Sequence, residues 1–146
     1  MKMMGEIALR RQFDALLRTN LTAFAEKVFQ TTSRGDTYRY NWHLEALGHH
    51  LQEVAEGRIR RLLVTIPPRN LKSTFCSIAL PAWMLGRAPT KKIIAITYGA
   101  ELSKAQQNDF RAVVTSEWYQ KLFPALRVDP RKDTEQEMRT TARGMR

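Results

Sequence analysis

Arg61-Leu-Leu-Val-Thr-Ile-Pro-Pro-Arg-Asn-Leu-Lys-Ser-Thr74 is the stretch on which the reading of this chain turns. Arg61–Ile66 is a short β-rich run closed by Pro67-Pro68, and it predicts a strand. Lys72–Leu85 returns to helical spacing, with Phe75, Ile78, Ala79 and Ala82 expected to face inward. Pro81, inside that pattern, is expected to kink the helix or end it early. A loop between a strand and the following helix suits a phosphate group, because backbone N–H groups and the helix N-terminus both point at the anion. Lys72 would supply a mobile charge for the β- and γ-phosphates, and Ser73 a hydroxyl for Mg²⁺. The match to GxxxxGK[ST] is partial, since Ile66 and Leu71 stand in place of both glycines. Leu71 is expected to turn its side chain into the core, and Arg69 offers a guanidinium that offsets lost loop amides. The competing reading is a plain helix start with Ser and Thr near its N-terminus.

Outward from this stretch the chain alternates. Gly86–Thr90 reads as a turn, and Ile93–Tyr98 as a second strand apolar enough to be buried on both faces. Gly99–Thr115 reads as a helix, and Glu117–Phe123 as a short aromatic segment ended by Pro124. Beyond Asp129 the chain is polar, with no apolar period. Upstream, Glu6–Phe29 has the spacing of an amphipathic helix, Thr31–Thr37 is a loop, and Asn41–Glu56 a second helix with Asn41 as N-cap and Gly57 as stop. From Arg61 the order is strand, loop, helix, strand, helix, which predicts a βαβα unit with parallel strands. The expected fold class is therefore α/β: an incomplete parallel sheet of P-loop NTPase type, preceded by two N-terminal helices. Residues 1–37 are expected to form an N-terminal helix and loop, and 38–146 the start of an ATPase domain. Two strands make too small a sheet to stand comfortably alone, so further strands are expected beyond this chain.

Composition sets the outer bounds. The 146 residues suit one domain, and 43% apolar with 26% charged residues is ordinary for a soluble globular protein. No apolar run approaches the roughly 20 residues that cross a bilayer, and the N-terminus lacks the pattern of a signal peptide. Cys76 is the only cysteine, which excludes an internal disulfide and suggests a cytoplasmic protein. A net charge of +10 favours a polyanionic partner, or else a solvated basic surface.

Several segments together resemble the N-terminal ATPase region of phage terminase large subunits, the RecA/ASCE-like motors that package DNA. They are Tyr40-Asn-Trp42-His43, Arg61–Arg69, Leu71–Thr74, Pro81–Gly86, Thr97-Tyr98, Asp109-Phe-Arg111, Trp118–Pro124 and Arg139–Gly144. The resemblance implies an ATP- and Mg²⁺-dependent motor acting on double-stranded DNA. It further implies a homo-oligomeric ring, working with a portal and a small terminase subunit in the cytoplasm of a cell carrying a phage or prophage. Carried over by position, Pro68, Arg69, Asn70, Leu71, Lys72, Ser73 and Thr74 would hold the nucleotide phosphates, with Ser73 on Mg²⁺. Lys72 and Arg69 would take the catalytic roles, Arg69 as a phosphate sensor. His43 would contact the base, and Arg111, Arg139 or neither would be an arginine finger on a neighbouring subunit, the other reading of each being a surface helix or tail residue. The resemblance places the Walker B strand and the nuclease domain beyond this chain.

Hydrolysis needs a carboxylate at the end of a later apolar strand, and none is present. Asp129, Asp133, Glu135 and Glu137 lie in a polar stretch with the spacing of a solvated face. The expected role is thus the nucleotide-binding part of such a motor. The alternative is a catalytically inactive basic module that binds DNA or a motor partner. The adjacent pair His49-His50 points in different directions on a helix and is not expected to hold a metal. Trp118, Tyr119 and Phe123 are expected in the core rather than as a stacking platform for bases.

Overall fold

The first elements form along the helically spaced apolar residues of the N-terminal stretch. In the computed structural model, which describes residues 2–33, 35–133 and 137–146, the amphipathic N-terminal stretch is two helices, α1 (Lys2–Thr19) and α2 (Leu21–Thr32). Asn20 divides them: it leaves helical geometry, and its side-chain oxygen accepts from the Ala23 N–H at 2.9 Å. That bond satisfies one of the donors a helix start leaves open. Gln52 from the next helix completes the joint. Its amide accepts from the Leu21 N–H and donates to the Thr19 carbonyl, both at 3.0 Å.

α3 (Trp42–Ala55) begins after Asn41 and stops before Gly57, whose φ of +80° suits glycine. It lies so close to α2 that a Cβ on Gly48 would fall 2.0 Å from the Thr22 hydroxyl oxygen. Next comes a π-helical turn, Thr74–Ala79, running directly into α4 (Leu80–Arg87). Pro81 explains the irregularity. It has no N–H to give the Ser77 carbonyl and its ring crowds that carbonyl, so the turn widens and the Leu80 N–H reaches Phe75 instead. The helix is thus widened at Pro81 and carries on to Arg87.

α5 (Ala100–Val114) and α6 (Glu117–Leu122) complete the helical set. The core lies among α2, α3, the π turn, α4, α5 and α6. Phe24 sits at its centre, with ring centroids of Trp118, Tyr119 and Phe123 within 5.6–6.2 Å. Two buried aromatic side chains there pair their polar atoms. The Trp83 indole N–H donates to the Leu17 carbonyl at 3.0 Å, and the Tyr119 hydroxyl to Ala82 at 2.7 Å.

The expected parallel P-loop sheet is not formed. Among the described residues the protein is mostly helical, and its one sheet is the antiparallel pair β1 (Val128–Asp133) and β2 (Met138–Thr140). Arg61–Ile66 and Ile93–Tyr98, both expected as strands, are free of regular secondary structure. The reason is the lack of neighbours. A strand exists only as part of a ladder, and β propensity reflects fit to a pleated, half-buried surface rather than a property of the run itself. Beside the first run lie α3 and the helix from Lys72, and beside the second lie α5 and the segment at Met145. Val64, Ile66 and Ile93 rest on the core, whereas Leu63, Ile96 and Tyr98 are 90%, 90% and 95% exposed. Among the described residues the pairing at the second run is one parallel bridge, Lys92 to Met145, just ahead of it, with the Ile93 N–H donating to the Met145 carbonyl at 2.9 Å.

The segment from Val128 on, read from Asp129 as polar with no apolar period, forms β1, β2 and a tight turn. The Thr140 side chain accepts from the Gly144 N–H at 2.9 Å and donates to the Pro89 carbonyl at 2.6 Å. A Cβ on Gly144 would lie 2.1 Å from that same Pro89 oxygen, so glycine is required for the approach. Glu135, one of the carboxylates read as a solvated face, lies outside the described residues.

Candidate phosphate-binding loop

Pro67-Pro68 ends the first apolar run, and the chain then turns twice through the left-handed region. Arg69 has φ of +65° and Leu71 of +55°. Neither is glycine, and each such placement costs about 1–2 kcal/mol. Three contacts hold the shape. The Asn70 side-chain N–H₂ donates to the carbonyls of Pro67 (3.2 Å) and Pro68 (3.1 Å), and Leu71 packs half-buried against the core. The Leu71 carbonyl then accepts from the Phe75 N–H at 3.0 Å, which starts the helix.

Left-handed residues interleaved in a loop turn successive N–H groups toward one side, the arrangement of an anion-binding nest. Lys72 and Ser73 follow at the helix start, where the first N–H groups lack intrahelical partners. Ser73 makes no capping hydrogen bond with its side chain. Lys72 is folded back, its Nζ donating to the Ile66 carbonyl at 3.4 Å. A contact that long to a neutral acceptor is weak, so an anionic oxygen would replace it readily. Arg69 is exposed beside them.

A cavity of about 410 Å³ adjoins the helix start, between Leu51 and Val54 of α3, Leu62 and Val64 of the first apolar run, and Lys72 and Ser73. Cys76 lines it too. Burial raises the pKa of its thiol, and the positive charge of Lys72 opposes that shift. The cysteine is therefore a protonated wall of the cavity at neutral pH, not an activated nucleophile.

The loop residues Pro68–Thr74 are thus brought together. His43 is not among them. It lies in the first turn of α3, eight residues and about 12 Å along the axis from Leu51. Its Nε2 is buried without a hydrogen-bond partner, while the neighbouring Trp42 is exposed. Arg111 lies half-buried on α5, and Arg139 is ion-paired with Glu137. Tyr119 and Phe123 are buried, and Trp118 is partly so, its indole N–H donating to the Thr31 hydroxyl at 3.0 Å.

The donors present fit a phosphate group: a cationic side chain, an adjacent guanidinium and a helix start. For Mg²⁺ the fit is partial, since Ser73 offers one hydroxyl and no carboxylate lines the cavity. No group of three metal-ligating side chains occurs among the described residues, His49 and His50 included. No helix among the described residues is long and apolar enough to cross a membrane. Comparison with family models, with curated proteins and with solved structures gave no match.

Sequence reasoning missed Arg146. It is buried, stacked on Phe110 and bonded to the carbonyl that Pro81 leaves open. Nothing in the pattern of the polar segment around it signals burial.

Proposed function

We propose that Pro67–Thr74 binds the phosphates of a nucleotide, with Lys72 and the backbone N–H groups at the helix start as the principal donors. The observation that carries this reading is the pair of left-handed residues, Arg69 and Leu71, that flank Asn70 immediately before Lys72. Strain of this kind persists only where surrounding contacts enforce it, and it gathers at ligand sites. In this reading Arg69 meets phosphate oxygens from the solvent side and Ser73 offers its hydroxyl to Mg²⁺. ATP is the nucleotide that the terminase resemblance favours. The larger role, also a proposal, is the nucleotide-binding part of a DNA-packaging motor in the host cytoplasm. Double-stranded DNA, a portal and a small terminase subunit would be its partners. The net charge of +10 supports a polyanionic partner. Since no carboxylate lines the cavity, the proposed role of this chain is binding rather than hydrolysis.

Titration with Mg-ATP tests the reading directly. Lys72→Ala should weaken binding by about tenfold or more, the loss of one charge-assisted contact, with the circular dichroism spectrum unchanged. Equal affinity in wild type and variant would overturn the assignment. Nucleotide should also slow alkylation of Cys76, which shares the cavity with Lys72.

A further inference from the structure

A second polar site is built by Arg146 and α5, and its cavity shares no lining residue with the one at the phosphate loop. Arg146 is 6% exposed, and its guanidinium lies over the Phe110 ring at 4.3 Å. Nη1 donates to the Gln107 side-chain oxygen and Nη2 to the Ser77 carbonyl, so both terminal nitrogens are used on neutral acceptors. The Arg146 Nε and the Gln107 Nε2 are buried donors with no partner, and Gln107 is itself 6% exposed. Among the described residues no carboxylate forms an ion pair with Arg146. Burial lowers its pKa to about 10, with no negative charge opposing the shift. Glu137 is the only carboxylate among the residues lining the adjoining cavity, and it is ion-paired with Arg139. That cavity holds about 290 Å³ between Ile93 and Ile94, Ser103 and Gln106 of α5, and Arg146 with Gln107.

A buried cation held only by neutral acceptors is an unusual arrangement, because buried charges are ordinarily paired. Two orphaned donors beside it add the cost of unmade hydrogen bonds. Both deficits have one remedy: a negatively charged group rich in acceptor oxygens. We propose that this cavity is a binding site for a small oxyanion of the phosphate type, held by Arg146 and Gln107. Arg146 supplies the charge, and Gln107 orients the guanidinium through its oxygen while its N–H₂ meets the ligand. Ser103 and Gln106 add exposed and buried polar groups at the margin.

The test is thermal unfolding of the full chain in inorganic phosphate and in chloride at equal ionic strength. Wild type should gain about 5 °C at saturating phosphate, rising hyperbolically with concentration. Gln107→Glu places a carboxylate beside the guanidinium. It should raise the midpoint in chloride and remove the phosphate response. Arg146→Met should also lose the response, with a midpoint in chloride no lower than that of wild type. Lys72→Ala should keep it, which separates this cavity from the loop at Pro67–Thr74. A phosphate shift that persists unchanged in Gln107→Glu overturns the proposal, as does one abolished by Lys72→Ala. A shift that depends on Arg146 and appears with duplex DNA but not with inorganic phosphate overturns the free-oxyanion assignment.

Discussion

Phe24 and Ile96 are both large apolar residues in segments of high apolar content, and their fates are opposite. Phe24 is wholly buried amid three aromatic rings, whereas Ile96 stands almost fully in solvent. The difference lies in the backbone around them. A helix satisfies its own N–H and C=O groups, so α2 needs only one apolar stripe to be worth burying. An extended run satisfies nothing until another strand lies beside it. Helix-forming segments therefore found their places within these residues, and the two β-rich runs did not.

Breaking the packed side of this comparison should give the largest effect. Phe24→Ala removes the ring about which Trp118, Tyr119 and Phe123 gather and leaves a cavity with little means of collapsing. The expected loss is about 3–5 kcal/mol, measured as a drop in the urea midpoint. A loss under 1 kcal/mol would mean that the aromatic cluster is looser than its ring distances imply.

What was legible in the sequence follows the same division. The helices at 41–56, 72–85 and 99–115 could be read because their spacing, caps and stops are local. The break at Asn20 could not, because it depends on Gln52 supplying hydrogen bonds to residues 31 and 33 positions away. The runs at 61–66 and 93–98 were read for their β propensity, and the missing ingredient was a neighbour, which propensity does not describe. In the loop, the residue types were legible, and so was the inward turn of Leu71. The left-handed backbone at Arg69 and Leu71 was not, since neither residue favours it; it is imposed by the packing of Leu71 and the bonds of Asn70.

Arg69 gives an intermediate effect that sharpens the comparison, because its strain belongs to a segment held in place without a ladder. Its side chain is exposed, so Arg69→Gly gives up little packing. Glycine adopts positive φ freely, and the variant should be more stable by up to about 1 kcal/mol. Under the proposed function it should also bind Mg-ATP more weakly. A variant both less stable and unchanged in affinity would show that the strained loop has neither the cost nor the use argued for it.

The smallest expected effect falls on the bare side. Ile96→Ser removes a side chain that touches almost nothing, so the stability of the dilute chain should move by no more than about 0.5 kcal/mol. The same substitution should matter at high concentration. Ile93–Tyr98 has no charge and no proline, and Ile94, Ile96 and Tyr98 are all exposed. Such an edge pairs readily with other chains, and one hydroxyl in its middle weakens that tendency. Light scattering against concentration should therefore rise later for Ile96→Ser than for wild type. If the substitution instead cost 2 kcal/mol in dilute solution, Ile96 would have to be covered there, and the contrast with Phe24 would fail. The exposed position of Ile96 and the free backbone beside it lead to the opposite expectation: a change nearly silent in folding and visible only in association.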